Sequence, residues 1–103
     1  MSQNIHLCRT TLISLVDAKS KEVKISLLSD DKVLNAISEI VNNILRDNIA
    51  LFNKERLFLK KHLGDLKKLG SKKASSELKK RILLKNKVLN VVLKSFFRNW
   101  KNE

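Results

Sequence analysis

The chain has 103 residues, enough for one hydrophobic core and too few for two. Hydrophobic residues make up 43% of it, which argues against disorder throughout, and its formal net charge of +12 suits either an anionic partner or a lysine-rich surface that only keeps the protein soluble. With no proline, two glycines and one cysteine, it lacks the turn residues of a sheet protein and excludes an internal disulfide or a thiolate metal cluster.

In chain order, Ile5, Leu7, Cys8, Leu12, Ile13, Leu15 and Val16 form a stripe that suits a helix and partly suits a strand. From Lys19 to Leu28, Val23, Ile25 and Leu27 alternate as in a strand. Val23, Leu27 and Leu28 also share one helical face, and the surrounding lysines with Glu22 favour a short helix. Ser29 reads as the cap of the next helix, with Asp30 and Asp31 at its positive end. Val33, Leu34, Ile37, Ile40, Val41, Ile44 and Leu45 then recur at helical steps as a core-facing stripe. Near Asn48 the pattern stops, and Ile49, Leu51 and Phe52 are expected to tuck a connector into the interior before Asn53 caps a helix over about Lys54 to Leu69.

That helix places Leu59, Leu63 and Leu66 on one side and Lys60, Lys61, Lys67 and Lys68 on the other. Gly70 reads as a left-handed cap, and 71–75 as a polar connector. Ser75 and Glu77 then start a further helix through Leu78, Ile82 and Leu83. In the tail, Val88, Leu89, Val92, Leu93, Phe96, Phe97 and Trp100 oppose Lys87, Lys94, Arg98 and Lys101. Pattern leaves open whether Lys85 and Asn86 break this stretch or one helix runs from Ser76 to Trp100. The expected fold is all-α: a single domain over 1–103, a compact bundle of about five to six short helices, with the tail stripe packed on the 33–45 stripe.

Charge is unevenly placed. Residues 1–53 hold six basic and six acidic side chains and are neutral, whereas 54–103 hold sixteen basic against four acidic and carry the whole excess. This segregation points to a core-forming half joined to a half that faces a polyanion. The expected binding residues are Lys60, Lys61, Lys67, Lys68, Lys72, Lys73, Lys79, Lys80, Arg81, Lys85 and Lys87. Lysine predominates, and lysine is a mobile point charge rather than the bidentate fork that reads guanine edges. Contact with the phosphate backbone, blind to sequence, is therefore expected.

Catalysis has little support, because His6 and His62 stand far apart without metal-ligand spacing and no nucleophile motif or phosphate loop accompanies them. No enzyme activity, metal or cofactor is expected. Cys8 reads as a buried free thiol in a reducing compartment. Neither a signal peptide nor a transmembrane helix is expected. Lys67-Lys68 and Lys79-Lys80-Arg81, ten residues apart, match the two-cluster spacing of nuclear import signals. The tail also has the composition of a membrane-surface helix, although bundle packing is the favoured reading.

Asn48-Ile49-Ala50-Leu51, Leu59-Lys60-Lys61-His62, Leu66-Lys67-Lys68-Leu69, Ser71-Lys72-Lys73-Ala74-Ser75 and Lys79-Lys80-Arg81 follow one another in an order that resembles a small basic protein family. That family is encoded by Maverick or Polinton-type DNA elements and related adenovirus-like (adintovirus-type) viruses. The resemblance spans about residues 20–90; Ala50 stands where the family often has proline, and no Gly-Gly pair follows Arg81. It implies a virion core protein that condenses a genome, with DNA favoured over RNA and residence in the nucleus or virion. The alternatives are an adaptor docking an acidic capsid protein or other protein partner, and a membrane-active helix.

Overall fold

The longest apolar stripe in the chain builds the element on which the rest is assembled. The computed structural model describes residues 3–85 and 87–100, and α4 (Asp31–Leu45) lies at its centre, with seven buried side chains from Val33 to Ile44. Asp30 caps it by accepting from the Lys32 N–H at 2.9 Å, and Asp31 adds a carboxylate to the first turn. Ser29, the expected cap, instead donates back to the Ile25 carbonyl. At the other end Asp47 adopts φ 60°, and Asp47 and Asn48 donate to the Ile44 and Asn43 carbonyls at 3.1 and 2.9 Å, a Schellman closure without glycine.

Seven more helices among the described residues surround α4: α1 (Gln3–Leu7), α2 (Arg9–Asp17), α3 (Lys21–Leu27), α5 (Asn53–Lys61), α6 (Leu63–Gly70), α7 (Ser76–Lys85) and α8 (Val88–Trp100). Those residues contain no strand, so the all-α expectation holds. The number of helices exceeds the five to six expected, because two stretches that read as continuous are divided. Residues 5–16 break at Cys8, and the stretch expected over 54–69 breaks at His62, whose φ of −110° and ψ of 24° end α5 and open α6. The second break has a packing cause. α5 lies on α8 while α6 lies on α4, so Leu59 and Leu66 are both buried against different partners and Leu63 between them stays 39% exposed. Gly64 has open space around its Cα, and its low helix propensity makes the bend less costly. From 76 onward the open alternative resolves to two helices, α7 and α8.

The tail stripe enters the core as expected. Val88, Leu89, Val92, Leu93 and Phe96 are buried, and α8 packs on α2, α4, α5 and α7. Ile5, Cys8, Leu12 and Leu15, spaced three, four and three apart, meet it from α1 and α2. Trp100 lies 4.9 Å from Phe96, 5.0 Å from His6 and 5.1 Å from the Arg9 guanidinium, which pins the end of α8 to α1 and α2. Lys101 falls outside the described residues. Among the described residues the buried apolar side chains form one cluster, and the Cα radius of gyration of 12.4 Å suits a packed unit of this length.

Three smaller expectations are corrected. Val23, Leu27 and Leu28 do not share one buried face: Val23 is 49% exposed, while Leu27 packs against the core and Leu28, just beyond α3, is buried. Phe52 does not tuck inward with Ile49 but is 61% exposed, and its ring lies beneath the Arg98 guanidinium at 3.8 Å. Phe52, not Asn53, occupies the cap position of α5, where its N–H donates to Glu55 Oε1 at 2.8 Å.

Candidate nucleic-acid interface

The cationic residues singled out in the sequence lie on three helices that touch in succession, α5 on α6 and α6 on α7, and on the segments that join them. Their placement follows from amphipathic logic: Leu59 of α5, Leu66 and Leu69 of α6, and Ile82 and Leu83 of α7 enter the core, and most lysines of these helices lie on the other side. Lys60 and Lys61 occupy the last turn of α5, and Lys67 and Lys68 the last turn of α6, where a cation also meets the negative helix end. Lys72 and Lys73 lie in the connector, which is held by the Lys73 N–H donating to Ser71 Oγ at 3.1 Å. Arg81 and Lys85 follow along α7, roughly 15 Å long at 1.5 Å per residue, and Lys87 precedes α8. All nine of these side chains are exposed.

Two of the eleven stand apart. Lys80 is half-buried, and its Nζ lies 3.8 Å from Glu77 Oε1 one turn earlier. Lys79 does not belong to the surface: it is 8% exposed, and its Nζ donates to Ser38 Oγ on α4 at 3.0 Å. The three-residue basic run is thus divided by the helix, since consecutive residues lie 100° apart and α7 turns position 79 toward α4.

Other residues of the same character were passed over. Lys54 and Arg56 on α5 and Lys94 on α8, two helices that touch, are also exposed. The neutral half differs, because exposed Asp17, Glu22, Asp30, Asp31 and Asp47 are interspersed with its exposed cations.

A further cation of the basic half is committed to a carboxylate. Arg98 grips Glu55 through two hydrogen bonds, of 2.9 and 2.6 Å, and also donates to the Ala50 carbonyl at 3.0 Å. Beside it the Asn99 amide pairs with both backbone groups of Ala50, accepting from its N–H at 3.1 Å and donating to its carbonyl at 3.0 Å. The Arg98 hydrogen bonds hold the Glu55 carboxyl far below the usual range, at about 2, against the opposing effect of burial. No sequence signal marks this clasp, whose partners lie more than forty residues apart. Cys8 is a buried free thiol, and burial, followed by the nearby Asp30 charge, pushes its pKa up.

Among the described residues no group of three His, Cys, Asp or Glu side chains is arranged to hold a metal ion, and no helix is long and apolar enough to cross a membrane. Comparison with protein-family models, with curated proteins and with solved structures found no match.

Proposed function

We propose that the protein binds nucleic acid without sequence preference and without catalysis, by neutralising phosphates with the exposed cations of α5, α6, α7 and their connectors. The observation that carries this reading is the exposure of nine of the expected lysines and arginines, six on three neighbouring helices and three on the segments beside them, while six of the ten carboxylates lie in the other half of the chain. Eight of the nine are lysines, whose ammonium groups on helix ends and a short connector suit backbone contact, and only Arg81 among them carries the planar fork that distinguishes base edges.

In the setting suggested by the resemblance to Maverick or Polinton-type small basic proteins, the ligand is a genome, DNA rather than RNA, inside a nucleus or virion, and the role is that of a core or packaging protein. A protein adaptor docking an acidic capsid partner through the same cations is the second reading. Burial of the α8 stripe in the core weighs against a helix freed to enter a membrane surface.

Mobility-shift titration with unrelated duplexes of equal length tests the reading. Equal affinities are expected, and the double variant Lys72→Glu/Lys73→Glu should weaken all of them alike, reducing the salt slope by about 2. An unchanged affinity would remove the connector from the interface. Strong preference for one duplex would contradict backbone recognition.

A further inference from the structure

Beside its buried stripe, α2 carries a second row of side chains that faces a cleft of about 610 Å³. Arg9, Ile13, Val16 and Asp17, at steps of four, three and one, share this flank, next to the buried Leu12 and Leu15. Phe97 and Trp100, one turn apart on α8, line the cleft from the other helix. His6 of α1 completes the lining, its ring 5.0 Å from that of Trp100, and the Arg9 guanidinium lies 5.1 Å from the same ring. None of these side chains is buried, and Ile13 is 41% exposed.

Charge in the cleft is segregated along α2. Arg9 begins the helix and Asp17 ends it, about 12 Å apart at the helical rise, and only apolar side chains of the lining lie between them. Among the described residues the ion pairs join Lys80 to Glu77 and Arg98 to Glu55, so the Arg9 fork meets the Trp100 ring and no carboxylate. A cleft of this volume, with mostly apolar walls and a few polar groups at its ends, has the make-up of a small-molecule site.

The ligand chemistry follows from that layout. A guanidinium fork matches a carboxylate, and Ile13, Val16, Phe97 and Trp100 match a hydrocarbon body. From Arg9 to Val16 the apolar wall follows about 10 Å of helix, comparable with an extended octyl chain. Asp17 would repel a second carboxylate at the far end. We infer that the cleft binds a medium-chain monocarboxylate, with its carboxylate on Arg9 beside His6 and its chain lying between Ile13 and Val16 on one side and Phe97 and Trp100 on the other. Arg9 and Asp17 belong to the neutral half of the chain, and the inference does not rest on nucleic-acid binding.

Trp100 is the only tryptophan, so its emission reports occupancy of the cleft. The test is a fluorescence titration of the full chain with octanoate, octanol, octanedioate and acetate. Octanoate is expected to give a saturable change, octanol and octanedioate to bind about tenfold more weakly, and acetate to give no change over the same range. Arg9→Met, which keeps the apolar stem, should cost about tenfold in octanoate affinity and leave that of octanol unchanged. Ile13→Ser, at an exposed position, should weaken octanoate and octanol alike, by about fivefold, and serves if the first variant fails to fold. Absence of saturation with octanoate, equal binding of octanol or octanedioate, or octanoate affinity untouched by both substitutions would each overturn the assignment.

Discussion

Asp47 is held at φ 60°, a conformation that glycine adopts freely and that costs an L-residue about 1 kcal/mol. It is tolerated because its N–H and that of Asn48 close the end of α4. Asp47→Gly should therefore raise stability by about 0.5–1 kcal/mol in urea denaturation, with no change in fold; a loss would show that the aspartate side chain itself stabilises the turn. Gly70 presents the opposite case. Its φ is not positive, so the left-handed cap expected from sequence is not its role. An added Cβ would lie 2.2 Å from Asn42 Oδ1, and Asn42 Nδ2 donates to the Gly70 carbonyl at 3.1 Å. Gly70→Ala should cost about 1–2 kcal/mol alone yet become stabilising in an Asn42→Ala background, where only the gain in helix propensity remains. The same destabilisation in both backgrounds would place the constraint elsewhere. A sequence shows that glycine stands at 70 but not which of its two uses applies, because close approach depends on a residue twenty-eight positions away.

At the scale of elements, legibility follows the range of the interactions. The stripes of α4 and α8 were readable because periodicity is local, and both enter the core. The breaks at Cys8 and His62 were not readable, because each is imposed by what the flanking helices pack upon. The clasp of Glu55 and Arg98 was equally hidden: Arg98 read only as part of the tail's polar face, and Glu55 lies forty-three residues away. Together they fasten the start of α5 to the end of α8. Glu55 has its pKa lowered from 4.5 to about 2, so its contribution to stability is complete above the unfolded value and fades as pH falls from about 4.5 toward 2. With the Arg98 side chain about a third exposed, solvent reduces that contribution to roughly 2 kcal/mol. Glu55→Gln should lower stability at pH 7 and show a smaller further loss than the parent between pH 4.5 and 2.5. Parallel stability curves for the two proteins would contradict the shift.

For the whole molecule, the neutral half and α8 were expected to supply the core, and they do so with help from the basic half through Leu59, Leu66, Leu69, Ile82 and Leu83. The asymmetry of charge survives folding, except that Lys79 turns inward and Arg98 is engaged by Glu55. The eleven candidate residues were legible as a charge run, but the inward turn of Lys79 required knowing which side of α7 meets α4. The proposed phosphate contact makes one quantitative demand, because each neutralised phosphate releases counterions. The most direct measurement is the affinity for duplex DNA of arbitrary sequence across a series of salt concentrations. With six to eight of the exposed cations engaged, log affinity should fall against log salt with a slope of about −5 to −7. A slope near zero, or no binding even in dilute buffer, would contradict polyanion recognition by this surface.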